Sequence, residues 1–300
     1  MFISKLHNLV EAYDPYGNHR VNGMKAAYVL LVLFAINFIF SIPNPYFYYF
    51  YIPITAMAAE VVGETIKKKN LLLFYCILWS AISAFLFDIV SVTPFFPIFA
   101  FFYSFLLYLI AIGSRMHTIV IAPIALSLGA YSLLYQQINT SFYVILNNCM
   151  NTLIAMAIVF AALAFFPRSY YYRLWLRALL LLVTQIIDHL SLMVANQRII
   201  FDPVHGHTTH LVRYATMLPR TFPLRSIWKI NLLMNQLHLT VCVTEANMIM
   251  MESETINLFI EKLHVFKHAV EQERPCELAT TPWVILNKLV HSWNYLCLKL

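Results

Sequence analysis

Six long apolar stretches alternate with short polar connections between Met24 and Phe166. They run roughly over residues 24–42, 46–66, 71–90, 94–113, 117–135 and 142–166. Each has close to the roughly 20 residues that a helix needs to cross about 30 Å of hydrocarbon. The pattern predicts an all-α polytopic membrane protein with six transmembrane helices.

Lys and Arg residues fall only in alternate connections, and this bias predicts the orientation of the spans. They occur before or at the start of the first stretch, in the second and fourth connections and after the sixth stretch: Lys5, Arg20, Lys25, Lys67, Lys68, Lys69, Arg115, Arg168 and Arg173. The other connections contain none. Positive residues stay on the cytoplasmic side during insertion, so we expect both termini in the cytoplasm.

Polar residues return at ordinary density after the sixth stretch, which predicts three regions. We expect a cytoplasmic N-terminal leader (1–23), a six-helix transmembrane domain (24–166) and a cytoplasmic helical domain (167–300). A bundle is predicted for the third region, with helices near 226–250, 252–272 and 282–298. Residues 198–225 are interpreted as a connecting segment.

The first helix of the cytoplasmic domain, near Leu174–Ala195, is rich in Leu and resembles a seventh span. However, its polar residues recur on one helical face: Arg177, Thr184, Asp188 and Ser191. This spacing predicts an amphipathic helix that packs in the bundle. A seventh crossing would also place the following Arg and Lys residues outside, against the charge bias.

The composition agrees with a membrane protein and limits the classes of partner that we expect. Hydrophobic residues make up 61% of the chain and charged residues 11%, whereas about a quarter of a soluble domain is charged. The net charge of +6 arises mostly from the topology-determining residues, so we expect lipid but not nucleic acid as a partner. None of the five Cys residues forms a CxxC pair, and we interpret them as packing residues.

Carboxylates within the stretches are the first candidates for function, because burying them in lipid is costly. Glu60 and Glu64 lie one turn apart near the inner end of the second stretch. They either exchange protons on a substrate pathway or lie at the cytoplasmic boundary, where Glu64 pairs with Lys67 or Lys68 and Glu60 snorkels. Asp88, at the outer end of the third stretch, is interpreted either as a solvated cap residue or as a polar group at a pathway mouth.

Each of the other candidates has both a structural and a functional interpretation. Arg115 either sets topology or contacts an anionic substrate. Asn148 and Asn151 belong to a polar patch of the sixth stretch, and such residues hydrogen-bond between helices or line a pathway. Aromatic residues of the fourth stretch are candidates for an apolar lining: Phe99, Phe102, Tyr103 and Phe105.

Three histidines, His205, His207 and His210, form the one metal-like cluster. They fall in the predicted connecting segment and lack typically spaced carboxylate or Cys ligands apart from Asp202, so we expect a solvated loop without metal. The sequence also contains no Walker A motif, no GxGxxG and no nucleophile elbow. We therefore expect no catalytic residues, no cofactor and no enzyme activity.

One short motif carries a family resemblance. The stretch Ile42-Pro-Asn-Pro-Tyr46, an aromatic-to-small span, Gly63 and the basic pair Lys67-Lys68 resemble the opening of the fusaric acid resistance family, which overlaps the aromatic acid exporters. Phe166-Pro-Arg-Ser169 resembles the exit from the sixth span of this family. The resemblance covers roughly residues 18–175.

The resemblance implies a secondary transporter that exports small aromatic or amphipathic organic acids across a bacterial inner membrane, driven by protons. One departure is Phe47, where the family often has Trp. Many members contain the six-span unit twice, so the single unit here implies a homodimer. A periplasmic adaptor is a further partner in this picture.

Two other classes stay open. In one, the protein is a non-transporting membrane anchor or scaffold whose cytoplasmic helical domain recruits a partner. In the other, it is a channel for organic anions. Binding by the helical domain, or ion flux without a proton gradient, distinguishes these classes from an exporter.

Overall fold

The computed structural model describes residues 10, 12–40, 66–113, 121–134, 142–167, 169–195, 205–246 and 253–300. Within these ranges the protein is all-α, as predicted, and has ten helices. They are α1 (Asn18–Phe40), α2 (Ile66–Ser91), α3 (Phe96–Gly113), α4 (Ile121–Leu134), α5 (Phe142–Phe165), α6 (Tyr170–Val194), α7 (His205–Met217), α8 (Leu224–Ala246), α9 (Ser253–Glu271) and α10 (Val284–Cys297).

Five of the described helices are candidate membrane spans, and a further helical region follows them. By length and hydropathy the spans are α1, α2, α3, α5 and α6, while the described part of α4 is apolar but shorter. The chain is therefore a multi-pass membrane protein, which confirms the predicted class. The predicted second stretch, 46–66, lies almost entirely outside the described residues, so the number of six spans stays a prediction.

Contacts divide the chain into two compact units. We call Gly17–Pro167 the membrane unit, and Met1–Tyr16 together with Arg168–Leu300 the helical unit. The residues before Gly17 thus belong with the C-terminal part of the chain. The sequence shows no pattern from which this pairing follows.

Helix α2 is the centre of the membrane unit, because α3, α4 and α5 all pack against it. One core cluster joins α2, α3 and α4 through Phe87, Tyr103, Leu107, Ala111, Ala122 and Ala125. A second joins α2, α4 and α5 through Leu72, Cys76, Ile121, Ile124, Leu128 and Met156. Small residues on α4 let its backbone approach α2 closely, as at other membrane helix interfaces.

Helix α1 packs on α5 through Val29, Leu33, Ala155, Val159 and Ala162. Where the start of α1 meets the end of α5, the ammonium of Lys25 lies 5.4 Å from the ring centroid of Phe166. The side chain of Lys25 is buried, so its stem covers apolar surface while the charge rests on an aromatic face.

Helix α6 exposes polar side chains, whereas the spans of the membrane unit expose mainly apolar ones. Trp175, Leu179 and Ile186 are fully buried, and α7, α8 and α9 pack around the helix. The exposed side chains within α6 are Arg173, Asp188 and Ser191. Although α6 is apolar enough to cross a membrane, its polar residues form the exposed side, as the sequence analysis expected of an amphipathic helix.

The interpretation of residues 198–225 as a connecting segment is wrong for His205–Met217, which form α7. Helix α7 packs on α6 and α8 and buries Leu211, Tyr214 and Ala215. These residues have helical spacing, but the polar start of the segment, rich in His and Thr, concealed the short apolar face.

Gly129 lies where α4 packs closely on Phe87 of α2. A Cβ atom at this position would lie 3.0–3.3 Å from ring atoms of Phe87, whose side chain is buried. Gly23, on α1, has open space around the corresponding position. The two glycines therefore form a matched pair for testing the α2–α4 contact.

We predict that Gly129→Val destabilises the membrane unit by about 1–3 kcal/mol, because the added methyl groups overpack the Phe87 site. The measurement is the apparent melting temperature of the purified protein in detergent. Gly23→Val serves as the control and should melt close to the wild type. Equal melting temperatures for the two variants would contradict close packing at Gly129.

Candidate functional site

Polar side chains lie along the buried face of α2, in the interior of the membrane unit. We call Lys69, Ser80, Ser83 and Asp88 the polar seam; all four are buried. Lys69, Ser80 and Ser83 lie close to one line along the helix, because their spacings of 11 and 3 residues are near whole numbers of turns. Asp88 lies one to two turns beyond Ser83, at the edge of the same face.

The seam is tied to α3 by a hydrogen bond. The hydroxyl groups of Ser83 and Tyr103 are 2.8 Å apart and both side chains are buried. The ring of Tyr103 is stacked on Phe99, with centroids 5.4 Å apart, and meets Phe87 edge-on. The bond satisfies two hydroxyl groups that would otherwise be costly to bury.

Helix α5 borders the seam on another side. The thiol of Cys149 donates to the carbonyl oxygen of Ala81 at 3.8 Å, and Asp88 interacts electrostatically with Cys149. Asn151, on the same helix, is only 9% exposed. Its Nδ2 atom has no hydrogen-bond partner among the described residues, and the same holds for Oδ1 of Asn37 on α1 and Oγ of Ser80.

The predicted site residues have different outcomes. Asp88, near the end of α2, is 1% exposed, so its side chain faces the protein interior, and its role stays a prediction. Asn151 is buried between helices. Glu60, Glu64 and Arg115 lie outside the described residues, as does the side chain of Asn148, and their roles stay predictions.

Sequence reasoning missed Ser80, Ser83 and Lys69 as interior residues. Lys69 was assigned to topology together with its two neighbours, yet Lys67 and Lys68 are exposed while Lys69 is buried. The signal was present in the spacing of the three missed residues along α2, which repeats at whole helical turns. Because serine is common in membrane helices, this spacing alone does not indicate a site.

The aromatic candidates of α3 divide into two groups. Tyr103 is buried and Phe99 is half-buried, so both belong to the packed interior. Phe102 and Phe105 are exposed, so they do not line the seam. Exposed aromatic side chains are expected where a membrane span contacts lipid.

The histidines do not form the predicted solvated loop. His207 and His210 lie on α7, and the hydroxyl of Tyr16 is 2.7 Å from Nδ1 of His207. The ring of His210 stacks on Tyr16 with centroids 4.1 Å apart. Burial, Arg213 and His207 lower the pKa of His210 from its ordinary value, which favours the neutral ring in this contact.

Metal binding has no support within the described residues, which exclude the side chain of His205. No group of three or more His, Cys, Asp and Glu side chains among them is arranged to hold a metal ion. His207 and His210 instead attach the N-terminal residues to α7. Arg177 adds to this attachment, since its Nε donates to the carbonyl oxygen of Pro15.

The helical unit contains an apolar cavity of about 340 Å³ between α6, α8, α9 and α10. Its walls include Leu190, Val241, Phe259 and Trp283, and the last two rings are 4.7 Å apart between centroids. The hydroxyls in the wall, from Thr240 and Thr244, donate to carbonyls of their own helix. The cavity thus presents an almost entirely apolar surface.

Comparison with known proteins identifies no family: no family model matches the chain, and no curated protein matches it significantly. The resemblance to the fusaric acid resistance family therefore stays a prediction. Function has to be argued from the geometry of the membrane unit.

We predict that the hydroxyl groups of Ser83 and Tyr103 are energetically coupled by about 1 kcal/mol. The measurement is a double-mutant cycle with Ser83→Ala, Tyr103→Phe and the double variant, using reversible unfolding in mixed micelles. Tyr108→Phe, at an exposed position of the same helix, is the control and should show no coupling to Ser83→Ala. Additive effects of the first pair would contradict a bond that holds α2 to α3.

Proposed function

We propose that the protein is a proton-coupled secondary transporter that exports small aromatic or amphipathic organic acids. The observation that supports transport is the buried polar seam on the central helix of the membrane unit. The substrate class rests on the resemblance of residues 18–175 to the aromatic acid exporters. The proposal takes Asp88 as a second proton-carrying candidate beside Glu60.

The position of the seam supports transport more than a purely structural role. Ionisable residues in a membrane interior are costly and mark substrate or proton pathways. Lys69 and Asp88 lie about 28 Å apart along α2, from the rise of 1.5 Å per residue. They thus place one positive and one negative side chain near opposite ends of the same span, with Ser80 and Ser83 between them.

The proposed topology has six spans with both termini in the cytoplasm. They comprise α1, the stretch 46–66, α2, α3, a span that includes α4, and α5. Helix α6 does not cross in this proposal. The exposed polar residues of α6, Arg173 and Asp188, support its assignment to the helical unit, since a lipid-facing helix would place apolar residues there.

We expect purified protein in proteoliposomes to accumulate radiolabelled aromatic acids from a panel only when a pH gradient is imposed. Asp88→Asn and Glu60→Gln should abolish gradient-driven accumulation, because neither amide carries a proton through a transport cycle. Glu261→Gln, at an exposed position of α9, is the matched control and should keep the wild-type rate.

Three results would contradict this proposal. Folded Asp88→Asn and Glu60→Gln variants that transport at the wild-type rate would exclude proton coupling through these residues. Anion flux that needs no gradient would indicate a channel. No uptake of any acid by folded wild-type protein would favour the anchor hypothesis.

We propose further that the working transporter is a homodimer, because the resembling family commonly combines two six-span units in one transporter. Cross-linking of the full-length protein in native membranes should therefore yield a dimer at low reagent concentration. A product that contains only monomer would contradict the dimer, whatever the outcome of the transport assay.

A membrane anchor is the second candidate, and one feature favours it. The helical unit contains an apolar cavity of its own, which a domain that recruits a partner could use to bind an apolar side chain. Under this hypothesis the helical unit binds a specific partner. Substitutions along the polar seam then change stability alone.

A further inference from the structure

One face of the helical unit combines exposed apolar side chains with exposed positive charge. We call Val212, Arg220, Arg225, Trp228, Lys229 and Leu232, from α7, α8 and the connection between them, the basic face. Trp228 is 41% exposed and Leu232 is 58% exposed. A shallow groove between α7 and α8 includes both, together with Val212.

The apolar residues continue along α8 in a regular stripe. Trp228, Leu232, Leu239 and Val243 are all exposed, and their spacings of 4, 7 and 4 residues keep them on one side of the helix. The opposite side of α8 packs in the unit. Helix α8 is therefore apolar on its buried side and on part of its outer side, which indicates a second contact.

The charges around this stripe have one sign. The sequence contains no Asp or Glu between His205 and Thr244, whereas Arg220, Arg225 and Lys229 are exposed there. A comparable apolar residue elsewhere has different neighbours: Leu258 of α9 is 44% exposed but lies between Glu254 and Glu261.

Two side chains from the start of α6 pack against α8 and the connection before it. Tyr172, a few residues after the end of α5, stacks on Phe222 with centroids 5.4 Å apart. Trp175 donates from Nε1 to Oδ1 of Asn231, next to Leu232, at 2.8 Å. Both residues of α6 thus lie against the start of α8 and the connection before it.

The N-terminal residues of the helical unit pack on α7. Tyr16, the last residue of the helical unit before Gly17, contacts His207 and His210 of α7. Because α1 begins two residues later at Asn18, a candidate membrane span starts at this point.

We propose that the basic face docks on the surface of an anionic bilayer. Trp228 and Leu232 enter the boundary between headgroups and acyl chains, while Arg220, Arg225 and Lys229 contact lipid phosphates. Amphipathic surfaces with Trp and Leu on the apolar side and Lys or Arg beside it bind membranes in this way, and aromatic side chains such as Trp are enriched at the same depth. The proposal does not depend on transport activity.

The test uses the full-length protein in nanodiscs, with spin labels at Leu232→Cys or, as the matched control, at Leu258→Cys. The background replaces the five native cysteines and is first shown to fold. In discs of phosphatidylcholine with phosphatidylglycerol, we expect the label at 232 to collide more with oxygen and less with a water-soluble nickel chelate. The label at 258 should show the reverse, since Glu254 and Glu261 lie about one turn to either side of it and the one nearby lysine, Lys262, is paired with Glu261.

Charge is tested by combining Arg220→Gln, Arg225→Gln and Lys229→Gln in the protein labelled at 232. Three cationic contacts with anionic lipid correspond to a change on the order of a hundredfold in the docked-to-undocked ratio. The combined variant in anionic discs should therefore resemble the parent in pure phosphatidylcholine, with the label at 232 reached by the nickel chelate. An unchanged label at 258 in the same variant controls for folding.

Three outcomes would overturn the proposal. The first is a label at 232 that the nickel chelate reaches equally in anionic and neutral discs. The second is protection that does not depend on lipid charge or on the three basic residues. The third is protection from both reagents with spin–spin broadening, which would mean that a second copy of the chain covers the face.

Discussion

Excluding polar groups from hydrocarbon is the constraint on which the membrane unit depends. A helix satisfies its own backbone in lipid, but buried side chains such as Ser83 and Asp88 must find partners or a protein surround. Helix α2 carries both, so α3, α4 and α5 cover it. Gly129 has no side chain, so α4 can pack closely on α2. The hydroxyl of Tyr103 forms a hydrogen bond with Ser83, which joins α3 to α2.

The same constraint distinguishes helices that hydropathy treats alike. Helices α3 and α6 both qualify as candidate spans. Helix α3 exposes Phe102 and Phe105, whereas α6 exposes Arg173 and Asp188. Mean hydropathy measures how apolar a helix is, but the side on which its polar residues lie determines whether lipid or other helices surround it.

The candidate site shows which of its features residue patterns can predict and which they cannot. Asp88 was identified from the sequence because a carboxylate near an apolar stretch is unusual. Its burial could not be predicted, since a side chain at the end of a span can face either water or the protein interior. Ser80 was missed because serine is ordinary in such helices. Lys69 was missed because its neighbours Lys67 and Lys68 explain its presence equally well, and only packing separates the three.

The sequence by itself determined the all-α class and the membrane location, because the length and hydropathy of a helix are local properties of the chain. It also predicted the amphipathic pattern of α6. Tertiary structure alone decided that Tyr16 packs on His207 and His210 and that Tyr172 stacks on Phe222. These features join residues far apart in the chain, and no local periodicity records such contacts.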